Sequence, residues 1–462
     1  MGPIGLILVS ALATAGAAEV TWDSIIRLTT SPASQVAGYS GQRSVVADAA
    51  GNIHVVWLDW RDVPYQVWYR RYDAGTSAWL AETALTNRPA NCFRPGIACD
   101  SAGNVNLAWH VESPTGTGIW AKRYDAAGSH WRADTLIDST TTGWPQSYPS
   151  VACVPGSGDA EVAWYGLPDT GMSSQVFLKE RHASAGWDSA MQVSTAAVNH
   201  DQVSVAAGRN GDLAVVWCGT DFGNEYKQVF CRRRVGGAWQ GVEQVSELPE
   251  GVTQYSPVVA IDEAGTVHVA WYGRPSVLDF YQQVFHRLCD SAGWSGIDNV
   301  SGARSYDQEF PSIACDAAGR CHVVWCSPAG GEHVQLAYGQ RETTGVWSWP
   351  MVLTGLDSGD VSYPSIACDS DSGIHVAWYD ASSGNSDIYY RRGFTPGAAL
   401  AESPNGELRA TNVGPTIVRG DRLQTGLVIL DACGRAVADL GPGVYFVGAP
   451  GDHRLVRVVV IE

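Results

Sequence analysis

Short apolar, β-branched runs alternate with polar, glycine-bearing turns along almost all of residues 20 to 394. Ile53-His54-Val55-Val56-Trp57, Val267-His268-Val269-Ala270-Trp271 and Ile374-His375-Val376-Ala377-Trp378 are examples. Runs of this kind bounded by turn residues predict strands, and no stretch of useful length carries a helical period. The tryptophans give the pattern its ruler: fourteen of the 19 fall in two interleaved series. Trp57, Trp109, Trp164, Trp217, Trp271, Trp325 and Trp378 are spaced by 52, 55, 53, 54, 54 and 53 residues. Trp79, Trp131, Trp187, Trp239, Trp294 and Trp347 each follow a member of the first series by 22 or 23 residues. The seventh member of the second series belongs near Leu400 and stands instead at the other end of the chain, as Trp22.

Each period divides into four short strands. The first begins with segments such as Phe310-Pro311-Ser312-Ile313-Ala314-Cys315-Asp316 and Tyr363-Pro364-Ser365-Ile366-Ala367-Cys368-Asp369. A turn follows in which Asp accepts backbone hydrogen bonds and Gly takes a positive φ (Asp48 to Gly51, Asp100 to Gly103, Asp262 to Gly265, Asp316 to Gly319). The second strand ends at the first Trp, the third resembles Gln66-Val67-Trp68-Tyr69-Arg70-Arg71, and the fourth carries the second Trp. Even spacing of short strands with an aromatic mark in each unit predicts an all-β protein: a seven-bladed β-propeller closed by its N-terminal strand. The periodic tryptophans are expected in the core, where large rings fill the wedge between blades. The domain spans residues 19 to 394.

The two ends of the chain differ from the repeat. Residues 1 to 18 hold the apolar run Ile4 to Leu12 and an Ala15-Gly16-Ala17 cleavage pattern, which reads as an export signal. It is too short to span a bilayer, and no transmembrane segment is expected elsewhere. Residues 395 to 407 read as a linker, and residues 408 to 462 as a small β-sandwich-like domain with the runs Leu427 to Asp431, Gly443-Val444-Tyr445-Phe446 and Leu455 to Ile461. The net charge of −17 argues against nucleic acid and anionic membranes as partners.

Candidate chemistry is sparse. Cys99, Cys153, Cys315 and Cys368 share one position of the first strand, where Ala47, Ala207 and Ile261 stand in the other blades. That set predicts a small buried core site, with equivalents in separate blades too far apart to bond. Cys315 with Cys321 and Cys218 with Cys231 remain open as local pairs. His54, His268, His322 and His375 recur three residues before the blade Trp. Equivalent residues of different blades do not converge into a tetrahedron, so interstrand hydrogen bonds are expected and neither a metal nor another cofactor is. The sequence has no G-x-S-x-G, H-E-x-x-H, P-loop or calcium loop, so no catalytic residue is assigned. The loops before the first strand and between the second and third share one face, where binding residues on a rigid scaffold concentrate. Trp60, Arg61, Tyr226, Tyr281, Arg43 and Arg94 are the candidate ligand-binding residues there.

The Tyr-Pro-Ser-Ile-Ala-Cys-Asp repeat, with its Gly-Ile-His-Val-Ala-Trp strand, resembles exported bacterial propellers of the sialidase-like superfamily. The sialidase Asp box, S-x-D-x-G-x-T-W, is absent, and sialidases have six blades. Their arginine triad, Tyr–Glu pair and acid Asp therefore have no positions here to be carried onto. The C-terminal Asp431-Ala432-Cys433-Gly434-Arg435 turn, the Gly443-Val444-Tyr445-Phe446 strand and the closing β run resemble the type A sorting domain of the type IX secretion system. That resemblance implies export to the surface of, or secretion from, a Gram-negative bacterium, with the secretion machinery as a partner. The expected function is a binding or adhesion platform for glycan or protein; a sialidase-like glycoside hydrolase is the alternative.

Overall fold

The computed structural model describes residues 20–31, 35–36, 43–61, 63–113, 116–140, 146–168, 173–195, 197–247, 251–302, 304–329, 331–355 and 359–395, and three strands nearer the C-terminus. The expected export signal, the linker beyond Thr395 and most of the segment resembling a sorting domain lie outside the described residues. The chain divides into two compact units, residues 1–395 and 396–462. In the second, Val428–Asp431, Gly443–Gly448 and Val456–Val460 form a three-stranded antiparallel sheet with the Gly443–Gly448 strand in the middle.

The first unit is a seven-bladed propeller of antiparallel sheets. The second strands of blades 1 to 7 are Ile53–Asp59, Val105–Ser113, Ala160–Gly166, Leu213–Gly219, Val267–Gly273, Cys321–Ser327 and Gly373–Asp380. Each ends near its blade Trp. The N-terminal strand closes the ring: Thr21 pairs with Phe394 and Trp22 with Gly393 at the outer edge of blade 7, and Ile26–Arg27 extends the pairing to Tyr390 and Tyr389. Pairing the ends removes an open sheet edge. Gly393 is required by this approach, since a Cβ there would lie 2.9 Å from the Trp22 ring.

All seven first-series tryptophans are fully buried. Five of their indole N–H groups find acceptors close by: Trp57 donates to Asp59, Trp164 to Gln146, Trp271 to Gln254, Trp325 to Gln308 and Trp378 to Asp380, at 2.6–3.3 Å. The second series joins blades. Trp79 meets Tyr390 of blade 7 edge-on, Trp131 meets Tyr69 of blade 1, and Trp22 meets Tyr338 of blade 6, with ring centroids 5.1–5.2 Å apart.

The turns form as their sequence predicts. Asp48 Oδ1 accepts from the N–H groups of Ala50 and Asn52, and Asp316 Oδ1 from those of Ala318 and Arg320. Gly51 and Gly319 take φ of 80° and 78°. The same aspartates bind the recurring histidines. His54 Nε2 lies 3.2 Å from Asp48 and its Nδ1 2.7 Å from Tyr69 Oη, and His375 sits likewise between Asp369 and Tyr390. His322 has the same neighbours, Asp316 at 3.3 Å and Tyr338 at 2.7 Å.

The small-residue position shared by the cysteines faces a common cavity. Ala98-Cys99, Ala152-Cys153, Ala206-Ala207, Ala260-Ile261, Ala314-Cys315, Ala367-Cys368 and Val46-Ala47 line one cavity of about 200 Å³, with every blade represented. Small residues stand here because seven strands converge and leave little room. The ten described cysteines are all free thiols, including Cys315, Cys321, Cys218 and Cys231.

Candidate ligand-binding face

Because each blade is an up-and-down meander, the starts of the seven inner strands share a face with the loops between second and third strands. At six of those starts the register slips by a residue: between Ala108 and His110 against the first strand of blade 2, and between Ser147 and Ser150, Asp201 and Ser204, Tyr255 and Val258, Glu309 and Ser312, and Ser362 and Ser365. The bulge residue is never glycine, yet it takes a left-handed conformation every time. Arg94, Tyr148, Gln202, Ser256, Phe310 and Tyr363 have φ between 47° and 54°. Bulges re-aim side chains, and left-handed non-glycine residues cost about 1–3 kcal/mol each. The same strained bulge recurs at the start of the inner strand in six of the seven blades.

Three of these residues, Tyr148, Phe310 and Tyr363, join other aromatics of the same face in a belt. Trp60 stacks on Tyr65, which meets Phe93 edge-on; Phe93 stacks on His110. The Arg94 guanidinium carbon lies 3.3 Å from the centroid of the Tyr148 ring, and Tyr148 stacks on Tyr165. Farther round, Tyr255 stacks on Tyr272, Tyr272 meets Phe310 edge-on, and Phe310 packs on Tyr363 at 5.1 Å. Between the two arcs, Lys227 forms an ion pair with Asp201.

Ionisable groups in the belt are perturbed. His110 Nε2 lies 3.3 Å from Glu112. Burial drives the His110 pKa down, favouring the neutral ring, while Glu112 is held low by its hydrogen bond to His110. The Glu309 carboxyl is pushed up by burial and by the neighbouring Asp307. Burial raises the hydroxyls of Tyr165 and Tyr272 as well.

The six sequence candidates fall into different environments. Arg94 is in the belt and Trp60 is at its end. Tyr226 and Tyr281 are exposed on loops of blades 4 and 5. Arg61 is structurally engaged: it pairs with Asp59 and Glu82 at 2.7 and 2.5 Å and lies 3.7 Å over Trp68. Arg43 lines the cavity and donates to the Val259 carbonyl of blade 5 at 2.8 Å, with burial lowering its pKa. It holds the position that Pro95, Pro149, Val203, Pro257, Pro311 and Pro364 take in the other blades. Phe93, Tyr148, Tyr165, Tyr255, Tyr272, Phe310 and Tyr363 were not selected from sequence. The signal was present in the repeat itself, where an aromatic precedes Pro in Tyr148-Pro149, Phe310-Pro311 and Tyr363-Pro364.

No protein-family model matches the chain, and no curated protein matches it in sequence. The fold is shared with the solved polysaccharide lyase Uly1, at TM-score 0.55 and 10% identity over 81% of this chain and 99% of that one. More distant similarity extends to the Hadza microbial sialidase Hz136, at TM-score 0.45 and 12% identity over 75% of this chain and 74% of that one. An α-L-arabinanase of Penicillium chrysogenum compares at TM-score 0.44 and 13% identity, over 65% and 92% of the two chains. The class defined by the fold is the seven-bladed propeller.

Proposed function

We propose that the belt face binds a glycan. The observation that carries this reading is the arginine–tyrosine stack of Arg94 on Tyr148, continued by Tyr165, on the face that also carries the Phe310–Tyr363 contact. Ring faces stack on the apolar faces of sugars, and a planar guanidinium adds directed hydrogen bonds to hydroxyl or carboxylate groups. The fold shared with a polysaccharide lyase supports the choice of polymer class. Glycan-array binding by the purified propeller tests it: saturable binding lost in Arg94→Ala and Tyr148→Ala supports the reading, and binding unchanged in both sinks it.

A hydrolytic reading, the sialidase-like alternative, draws on Glu309. A carboxyl held toward its protonated form beside Tyr272 is suited to general acid work. Turnover of a fluorogenic sialoside, lost in Glu309→Gln, selects this reading over binding alone.

The proposal includes export. Residues 1–18 act as a cleaved signal, and residues 408–462 deliver the propeller across the outer membrane of a Gram-negative cell through type IX machinery. The support is the sequence pattern at both ends. Truncation at residue 407 in the native host should leave a folded propeller in the periplasm, and normal surface delivery of that chain refutes the assignment.

A further inference from the structure

Four blades carry a histidine on the second strand, and three treat it alike: Asp on Nε2, a tyrosine hydroxyl 2.7 Å from Nδ1. Blade 5 departs. The third-strand position of Tyr69, Tyr338 and Tyr390 is taken there by His286, which pairs with Ala270 as Tyr69 pairs with Val56. His268 Nδ1 and His286 Nε2 therefore face each other at 3.1 Å. A second departure meets the first. Blade 6 has Cys321 where blades 1 and 7 have Ile53 and Ile374. The two imidazole nitrogens and the Cys321 thiol lie within 4.8 Å of one another, and all three residues are buried.

The outer ring nitrogens are also directed. His268 Nε2 lies 3.6 Å from Asp262 and His286 Nδ1 lies 3.4 Å from Asp298. Both carboxylates are held in place, Asp262 by the N–H groups of Ala264 and Thr266, and Asp298 by the Trp347 indole N–H at 3.0 Å. Carboxylates facing both outer nitrogens favour keeping the ring protons there, which aims two lone pairs at one point. Without a third body that arrangement is repulsive, or it needs an extra proton and a charged imidazole in a buried place. Both rings are buried, and a charged imidazole there would have no water to solvate it. Two nitrogen ligands at Zn–N distances of about 2.0–2.1 Å in a tetrahedron sit roughly 3.3 Å apart, close to the separation found. Carboxylate–histidine pairs are the usual outer support of such ligands.

We propose that His268, His286 and Cys321 form a zinc site at the junction of blades 5 and 6, with the Cys315 thiol as fourth ligand. Cys315 lies directly across the hairpin from Cys321. Cys315 also lines the central cavity, which gives the ion a route in. A two-nitrogen, two-sulfur set selects zinc over harder cations. On binding, the two thiols release their protons to solvent, and the resulting thiolates neutralise the ion's charge. The site is remote from the belt in role and independent of the glycan reading. It pins neighbouring blades together.

The test uses the full chain expressed with added zinc. About one equivalent of zinc by elemental analysis is expected, and cobalt substitution should give a thiolate-to-cobalt charge-transfer band in the near ultraviolet. His286→Tyr restores the arrangement of blades 1, 6 and 7, and Cys321→Ile installs the residue of blades 1 and 7, so both variants should fold with wild-type circular dichroism yet lose the metal. Cys315→Ala should weaken binding at least tenfold and reduce the charge-transfer intensity; an unchanged band removes Cys315 from the ligand set. A folded wild-type chain that takes up no zinc or cobalt in titration overturns the proposal, as does full zinc content in His286→Tyr.

Discussion

The Trp22 ring stands edge-on to Tyr338, with centroids 5.1 Å apart and planes at 80°. One residue is near the start of the chain and the other in blade 6, so this contact crosses the point where the ring closes. In blades 1 and 2 the corresponding contact, Trp79 on Tyr390 and Trp131 on Tyr69, has the same geometry. The closing strand thus reproduces an ordinary blade junction.

Trp22→Ala is expected to cost about 2–4 kcal/mol, by analogy with large-to-small aromatic substitutions in cores. For a propeller of this size that lowers Tm by several degrees. Deleting residues 20–31 should cost considerably more, because the backbone pairing to blade 7 is lost as well. A thermal melt of both variants against wild type checks this, and an unchanged Tm in the deletion contradicts the closure.

Glu161 stands where other blades place histidine, and it is buried with Oε2 lacking a partner. Burial, with Glu180 adding, pushes its pKa up to about 8, and Arg234 at 3.5 Å offsets this only in part. A carboxyl whose folded pKa is raised leaves stability intact below its unfolded value near 4.5 and removes it as pH rises toward 8. Glu161→Gln should therefore match wild type at pH 4 and melt higher at pH 8. A variant less stable at pH 8 than wild type contradicts this sign.

Asp369 behaves in the opposite sense. Its hydrogen bond to His375 leads the interactions that outweigh burial and hold its pKa at about 2. Its contribution is present above the unfolded value near 4 and fades as pH falls toward 2. Asp369→Asn should lower Tm at pH 6 and lose most of that deficit near pH 2, measured by circular dichroism melts across the range.

Arg94→Ala and Tyr148→Ala should each weaken glycan binding by about tenfold or more, the size expected when a central aromatic or arginine contact is removed. Isothermal titration with the best array ligand measures this. Arg61→Ala is the contrast: its guanidinium is committed to Asp59 and Glu82, so its loss should lower Tm and leave affinity within about twofold.

The blade number was legible because one indole is needed in every wedge, and a wedge repeats with the chain. The Asp-x-x-Gly turns were legible for the same local reason: the side chain bonds its own backbone within four residues. The ring closure followed from the displaced Trp22. By contrast, the bulges at Arg94, Tyr148 and Phe310 arise from pairing between strands, and no single strand announces them. Arg43 and Arg61 looked alike as loop arginines; only packing separated a side chain crossing the central cavity from one fixed between two carboxylates. The approach of His286 to His268 and Cys321 belongs to tertiary structure entirely. His286 lies 18 residues and Cys321 about one blade repeat from His268, and neither spacing marks a site: the three meet because blade 6 is laid against blade 5. Sequence periodicity determined the repeated scaffold, whose causes are local and recur, whereas the sites depend on departures from the repeat that acquire meaning only where neighbouring blades touch.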